Sequence, residues 1–109
     1  MSPTPAERER LAAQAKLTVA QVGAITKRLD RWDAASKEGP WTRRTLELIS
    51  QQPGVVSTVL AKQMRRERLV FKGLVRRLKD LGLTYSLEVG YCLSPRGRAY
   101  LKANSGRGA

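Results

Sequence analysis

The sequence predicts a mainly α-helical protein with one small β-hairpin, led by a long helical arm. Apolar side chains recur at three- and four-residue steps over most of its 109 residues, the period of a helix that buries one face. One stretch, Thr84 to Leu93, is instead rich in strand-forming residues. Breakers at Gly39-Pro40, Pro53-Gly54, Gly82 and Gly90 divide the chain into separate elements.

The arm comes first. Thr4 suits a helix cap, Pro5 the first helical position, and Glu7 completes a capping box. Helical sequence then runs to about Ser36, before Glu38-Gly39-Pro40. Leu11, Ala15, Thr18, Val22, Ile25, Leu29 and Trp32 form an a/d stripe along it. Two readings stand. The stripe, through Leu11, Val22, Ile25, Leu29 and Trp32, pairs with its symmetry mate as a dimerisation element, or it packs on its own domain. An uninterrupted helix of about 30 residues would span ~45 Å and overhang so small a domain, which favours the dimer. Thr18-x-x-Gln21 also suits a fresh cap, with a break near Leu17.

After Pro40 the elements shorten. Thr42 suits the cap of a helix ending at Gln52, before Pro53-Gly54. Ser57 suits the cap of a second helix, Thr58 to Gln63. A third runs from about Glu67 to Leu81 and closes at Gly82. Two short strands follow, turning near Val89-Gly90, and Ser94-Pro95 opens a last helix carrying Ala99, Tyr100 and Leu101. Helix, helix, helix, hairpin, helix is the order of a winged helix-turn-helix. The organisation expected is an arm over 1–38, a winged helix-turn-helix domain over 40–103 and a flexible tail over 104–109.

Charge points to a partner. Twenty-one Lys and Arg face nine Asp and Glu, a net +12. Residues 1–38 hold seven cations and five acids, whereas residues 39–109 hold fourteen and four. A basic excess confined to one segment favours a polyanion. Other classes are disfavoured. The chain has no histidine, hence no imidazole base or histidine metal ligand. It has no Gly-rich phosphate loop, no GxSxG and no cysteine pair. No enzyme, no metal and no cofactor are expected. No apolar run approaches the ~18 residues of a membrane helix, and the N-terminus lacks the apolar core of a signal peptide. Cys92, the one cysteine, reads as a buried structural thiol. A cytoplasmic protein, nucleoid-associated when bound to DNA, is the expectation.

The segment Glu67 to Leu81 concentrates the signal. At roughly 100° per residue, Arg68, Lys72, Arg76 and Lys79 fall within about 40° of one direction, while Val70, Phe71, Leu74, Leu78 and Leu81 point the other way. An ordinary solvated helix face mixes signs in i,i+4 pairs. Here the stripe is cationic only, and Arg65 and Arg66 extend it. A membrane-surface helix would need a wide exposed apolar face, whereas neighbouring elements are available to cover this one. The major groove of B-DNA accepts such a helix.

These residues resemble the winged helix-turn-helix regulators, the MarR-like ones in particular. The matching run is Leu60-Ala61, Met64, Phe71, Leu74, Leu78 and Gly82-Leu83, with Leu93-Ser94-Pro95-Arg96-Gly97-Arg98-Ala99 similar to the Leu-Thr-x-x-Gly-Arg segment after the wing. The run also resembles small uncharacterised winged-helix proteins of actinobacteria. The resemblance covers residues 42–101 and implies a recognition helix at about 67–81. Departures are Arg65 where glycine is usual in the turn, Glu67 where a small hydroxyl residue often caps, and a short wing bearing Glu88 rather than arginines. The arm matches no motif of that family, so dimerisation is not implied by it.

The chemistry then suggests roles. Lys72 and Arg76 lie mid-face, where side chains reach base edges. Arg65, Arg66 and Arg68 suit bases or phosphates, while Lys79, Arg43 and Arg44 suit phosphates. Ser57 and Thr58 open a helix whose free N–H groups suit a phosphate. Gly73 fits a close backbone approach to DNA or to another helix, and Trp41 fits the core. The expected function is that of a sequence-specific transcription regulator on double-stranded DNA, a homodimer with no evident small-molecule effector. A nonspecific or architectural DNA binder, or a winged-helix module docking on protein or RNA, remain the alternatives.

Overall fold

Thr18 opens the first helix of the structure. Its hydroxyl accepts from the Gln21 N–H at 3.1 Å, and the Gln21 side-chain oxygen accepts from the Thr18 N–H at 2.9 Å. This reciprocal capping box starts α1 (Val19–Ala35). The computed structural model describes residues 17–105, so the expectations at Thr4 to Glu7, Leu11 and Ala15, and those past Ser105, lie outside the described residues. Thr18 itself is extended (φ −76°, ψ 162°). The arm is therefore not one helix running through Leu17, and the length argument for an overhanging dimer helix falls away.

Val22, Ile25 and Leu29, three positions of the supposed dimer seam, are only 8%, 5% and 4% exposed within the single chain. They face α2 (Thr42–Gln51) and α5 (Pro95–Ser105). Trp32 stacks on Trp41, ring centroids 6.0 Å apart. The described part of the stripe, Val22, Ile25, Leu29 and Trp32, is used by its own domain, and this corrects the assignment of those residues to a symmetry mate. Each such side chain withdrawn from water contributes about 1.5–3 kcal/mol.

Thr42 does not cap α2; it is the first residue inside. Asp33 of α1 reaches across the loop instead. Its Oδ1 accepts from the Trp41 and Thr42 N–H groups at 2.9 and 3.0 Å, and its Oδ2 accepts from the Thr42 hydroxyl at 2.8 Å. An anion at a helix N-terminus satisfies free amides and opposes the helix dipole favourably. Ser57 is likewise the first residue of α3 (Ser57–Gln63), with Val56 at the cap position.

Two helices end alike. After α4 (Arg68–Asp80), Gly82 (φ 77°) donates to Lys79 O and Leu83 to Leu78 O. After α3, Arg65 (φ 55°) donates to Lys62 O and Arg66 to Ala61 O. Both are Schellman closures. The turn at Arg65 thus keeps the shape glycine would give it, at the cost of placing a β-carbon in the left-handed region.

β1 (Thr84–Ser86) and β2 (Tyr91–Leu93) pair antiparallel with Tyr85 opposite Cys92. The turn spans Leu87–Gly90, closed by Leu87 N–H to Gly90 O. Gly90 has to be glycine: a β-carbon there would sit 2.5 Å from Gly54 C and Val55 O. The Gly54 N–H also donates to Tyr91 O, which docks the loop after α2 on the hairpin. Cys92 is half-buried, and burial raises its thiol above the usual range, outweighing the opposite pull of Arg98. Ser94 caps α5, accepting from Gly97 N–H at 2.9 Å. That helix continues through Asn104 and Ser105, two residues into the expected tail. Around a core that includes Leu46, Ile49, Leu60, Phe71, Leu78 and Tyr100, the fold is mainly helical with one two-stranded hairpin. No helix among the described residues is long and apolar enough to cross a membrane.

Candidate nucleic-acid interface

α4 is held by Phe71, Val75 and Leu78, all buried. Tyr91 of β2 meets Phe71 edge-on at 6.5 Å, which seats the hairpin beside the helix. Val75 was not among the residues expected inside, whereas Val70 was and is 47% exposed. The phase of the helix explains both. Lys72 and Val75 lie three residues apart, about 60° around the axis. The cationic stripe therefore borders the core rather than opposing it, and the outermost face carries Leu69, Gly73, Arg77 and Asp80.

Arg68, Lys72, Arg76 and Lys79 are all exposed, as expected. Among the described residues the ion pairs are Arg43–Glu47 and Arg66–Glu38, so none of those four is in an ion pair, and Asp80 is the acid that shares a groove with Lys72, Arg76 and Lys79. Arg77 is exposed too; the angular criterion that defined the stripe excluded it. The α4 N-terminus adds to this field. Glu67 makes no side-chain cap and the first turn holds no acid. The amides at the positive end of the helix dipole have no side-chain acceptor among the described residues.

The hairpin and α4 bound an open groove of about 570 Å³ whose walls include Leu69, Lys72, Arg76, Lys79, Ser86 and Tyr91. Ser57 and Lys72 line its continuation towards the hairpin tip, with Glu88 opposite. Thr58, on the next position of α3, is exposed.

The remaining cations divide. Arg65 is exposed, and shares a notch with Arg44. Arg44 donates to Gln63 O at 3.4 Å and its guanidinium stays at the surface. Arg43 pairs with Glu47 at 3.0 Å, but both are about half exposed; such a helix pair is worth only ~0.3–0.5 kcal/mol, little enough for a phosphate to displace. Arg66 differs. Its side chain is 7% exposed, paired with the Glu38 carboxylate and donating to Gly39 O. It ties the loop before α2 to the turn before α4, and its role is corrected from ligand contact to structural tether. The sequence spacing of 28 residues between Arg66 and Glu38 hid that pairing.

Gly73 meets nothing: no described atom outside its own helix backbone lies within 4 Å of where a β-carbon would sit. Approach of another described helix is thereby removed as its reason. Comparison with known proteins adds no relative, since no protein-family model and no curated protein matches the chain.

Proposed function

We propose that the chain is a winged helix-turn-helix protein that binds double-stranded DNA sequence-specifically, laying α4 in the major groove. One observation carries the reading: four exposed cations of α4 that form no ion pair among the described residues, beside a helix N-terminus without a side-chain cap. Unrelieved like charge destabilises the free protein, and a bound polyanion relieves it. The element order and the hairpin seated beside α4 support the winged-helix form. In that form Lys72 and Arg76 read base edges, Arg77, Lys79, Arg65, Arg44 and Arg43 hold phosphates, and the protein acts by binding rather than catalysis. A regulator reading a two-fold site needs a second copy. Val22, Ile25 and Leu29 are buried within one chain, so the seam of such a dimer is formed by other residues.

The net charge of +12 also suits nonspecific binding. In vitro selection from random duplexes, followed by salt titration of selected and random DNA, separates the two. Enrichment of one motif, bound with a ~10³-fold or greater preference over random duplex, is expected. Equal affinities with the same salt slope would make the protein an architectural binder. Absence of duplex binding at low salt would end the DNA reading.

A further inference from the structure

Two costly features sit one turn apart on α4. Leu69 is 64% exposed, an apolar side chain left in water on the second residue of the helix. Gly73 weakens the helix interior, yet its β-carbon position faces open space. Neither choice helps the chain fold. Leu69 and Gly73 also share the walls of the groove with Lys72 and Arg76, while the one acid of that wall, Asp80, lies about three turns further along the helix from Leu69, so the charges nearest the apolar spot are cations. A membrane or an apolar protein partner would not select that frame; the edge of a base pair does, because thymine presents a methyl group beside hydrogen-bonding atoms in the major groove.

We propose that Leu69 contacts a thymine methyl group, and that Gly73 leaves room for the base edge to reach it. The proposal rests on the DNA-binding reading and deepens it: the half-site contains a thymine next to the base contacted by Lys72 or Arg76. Residues in the first turn of a helix docked in the groove are the ones that reach base edges.

The test uses the full chain and the duplex enriched by selection, remade with deoxyuridine in place of each thymine in turn. That exchange removes only the methyl group. At one position per half-site the wild type is expected to lose about four-fold in affinity, the worth of one buried methyl group. Leu69→Ala should bind the thymine and uracil duplexes equally. Gly73→Ala should melt no lower than wild type, because its new methyl group meets nothing in the free protein, yet bind the duplex at least ten-fold more weakly. Wild-type affinity unchanged by uracil at every position would overturn the methyl contact and leave DNA binding intact. So would a Leu69→Ala variant that keeps the wild-type preference for thymine. Failure of the wild type to bind any duplex would instead overturn the underlying reading.

Discussion

The junction of α1 with α2 and the junction of α3 with α4 are built to different standards. At the first, polar and apolar groups are matched within the chain. Asp33 accepts three hydrogen bonds at the start of α2, and Trp32 stacks on Trp41. At the second, the chain forgoes stability. Arginine occupies a left-handed turn position, the next helix starts without a side-chain cap, the cations of its stripe form no ion pair among the described residues, Leu69 is mostly exposed, and Gly73 meets no described atom beyond its own helix backbone. Local choices in folded proteins ordinarily agree with the global structure, and violations gather where a surface serves something else. Under the proposed function, the contrast separates a scaffold from the DNA-binding surface.

Substitutions at the first junction should cost folding and spare binding. Leu29→Ala is expected to lose ~2–5 kcal/mol in urea unfolding. Leu29→Glu, which places a charge among buried side chains, should lose more and give no folded monomer. A Leu29→Glu protein as stable as wild type would mean that α1 is not part of the core. Asp33→Ala removes the shared acceptor of two backbone amides and a hydroxyl, and should cost ~2–3 kcal/mol. Its folded fraction should keep wild-type duplex affinity; weaker binding by that fraction would erase the division between the two junctions.

Substitutions at the second junction should do the reverse. Arg76→Ala and Lys72→Ala are each expected to weaken the selected duplex by ~1–3 kcal/mol and relax preference at one base pair, with unfolding midpoints changed by less than ~0.5 kcal/mol in equivalent stability. Unchanged affinity in both would take α4 out of the interface. Arg65→Gly is the smallest effect and the sharpest discriminator. It should stabilise the fold by ~0.5–1 kcal/mol by relieving the left-handed strain. It should also weaken every duplex alike and lower the salt slope by about one. Stabilisation without loss of affinity would show that Arg65 is tolerated strain rather than a DNA contact.

How much of this was legible depended on range. The caps at Thr18 and Ser94 and the stop at Gly82 use residues within five positions of one another, so sequence spacing exposes them. Asp33 capping a helix that begins nine residues later and Arg66 meeting Glu38 across 28 residues depend on how the chain returns on itself. Arg66 therefore read as a free cation, and Thr42 as a cap.

By itself, the sequence determined the number and type of the elements described, the hairpin with its turn, and the cationic stripe of α4, because helical period, breakers and charge are local properties. Only the tertiary structure decided what each face meets. An a/d stripe such as Val22, Ile25 and Leu29 has the same period whether it packs on a second copy or on its own domain, and here neighbouring helices bury it. The rotation of α4 about its axis was set in the same way. Phe71, Val75 and Leu78 dock on the core and the hairpin fills one flank, which leaves Leu69 and Gly73 facing outward and the cationic stripe exposed along the border. Helical period establishes that a buried face exists; packing of the whole chain selects which residues it contains.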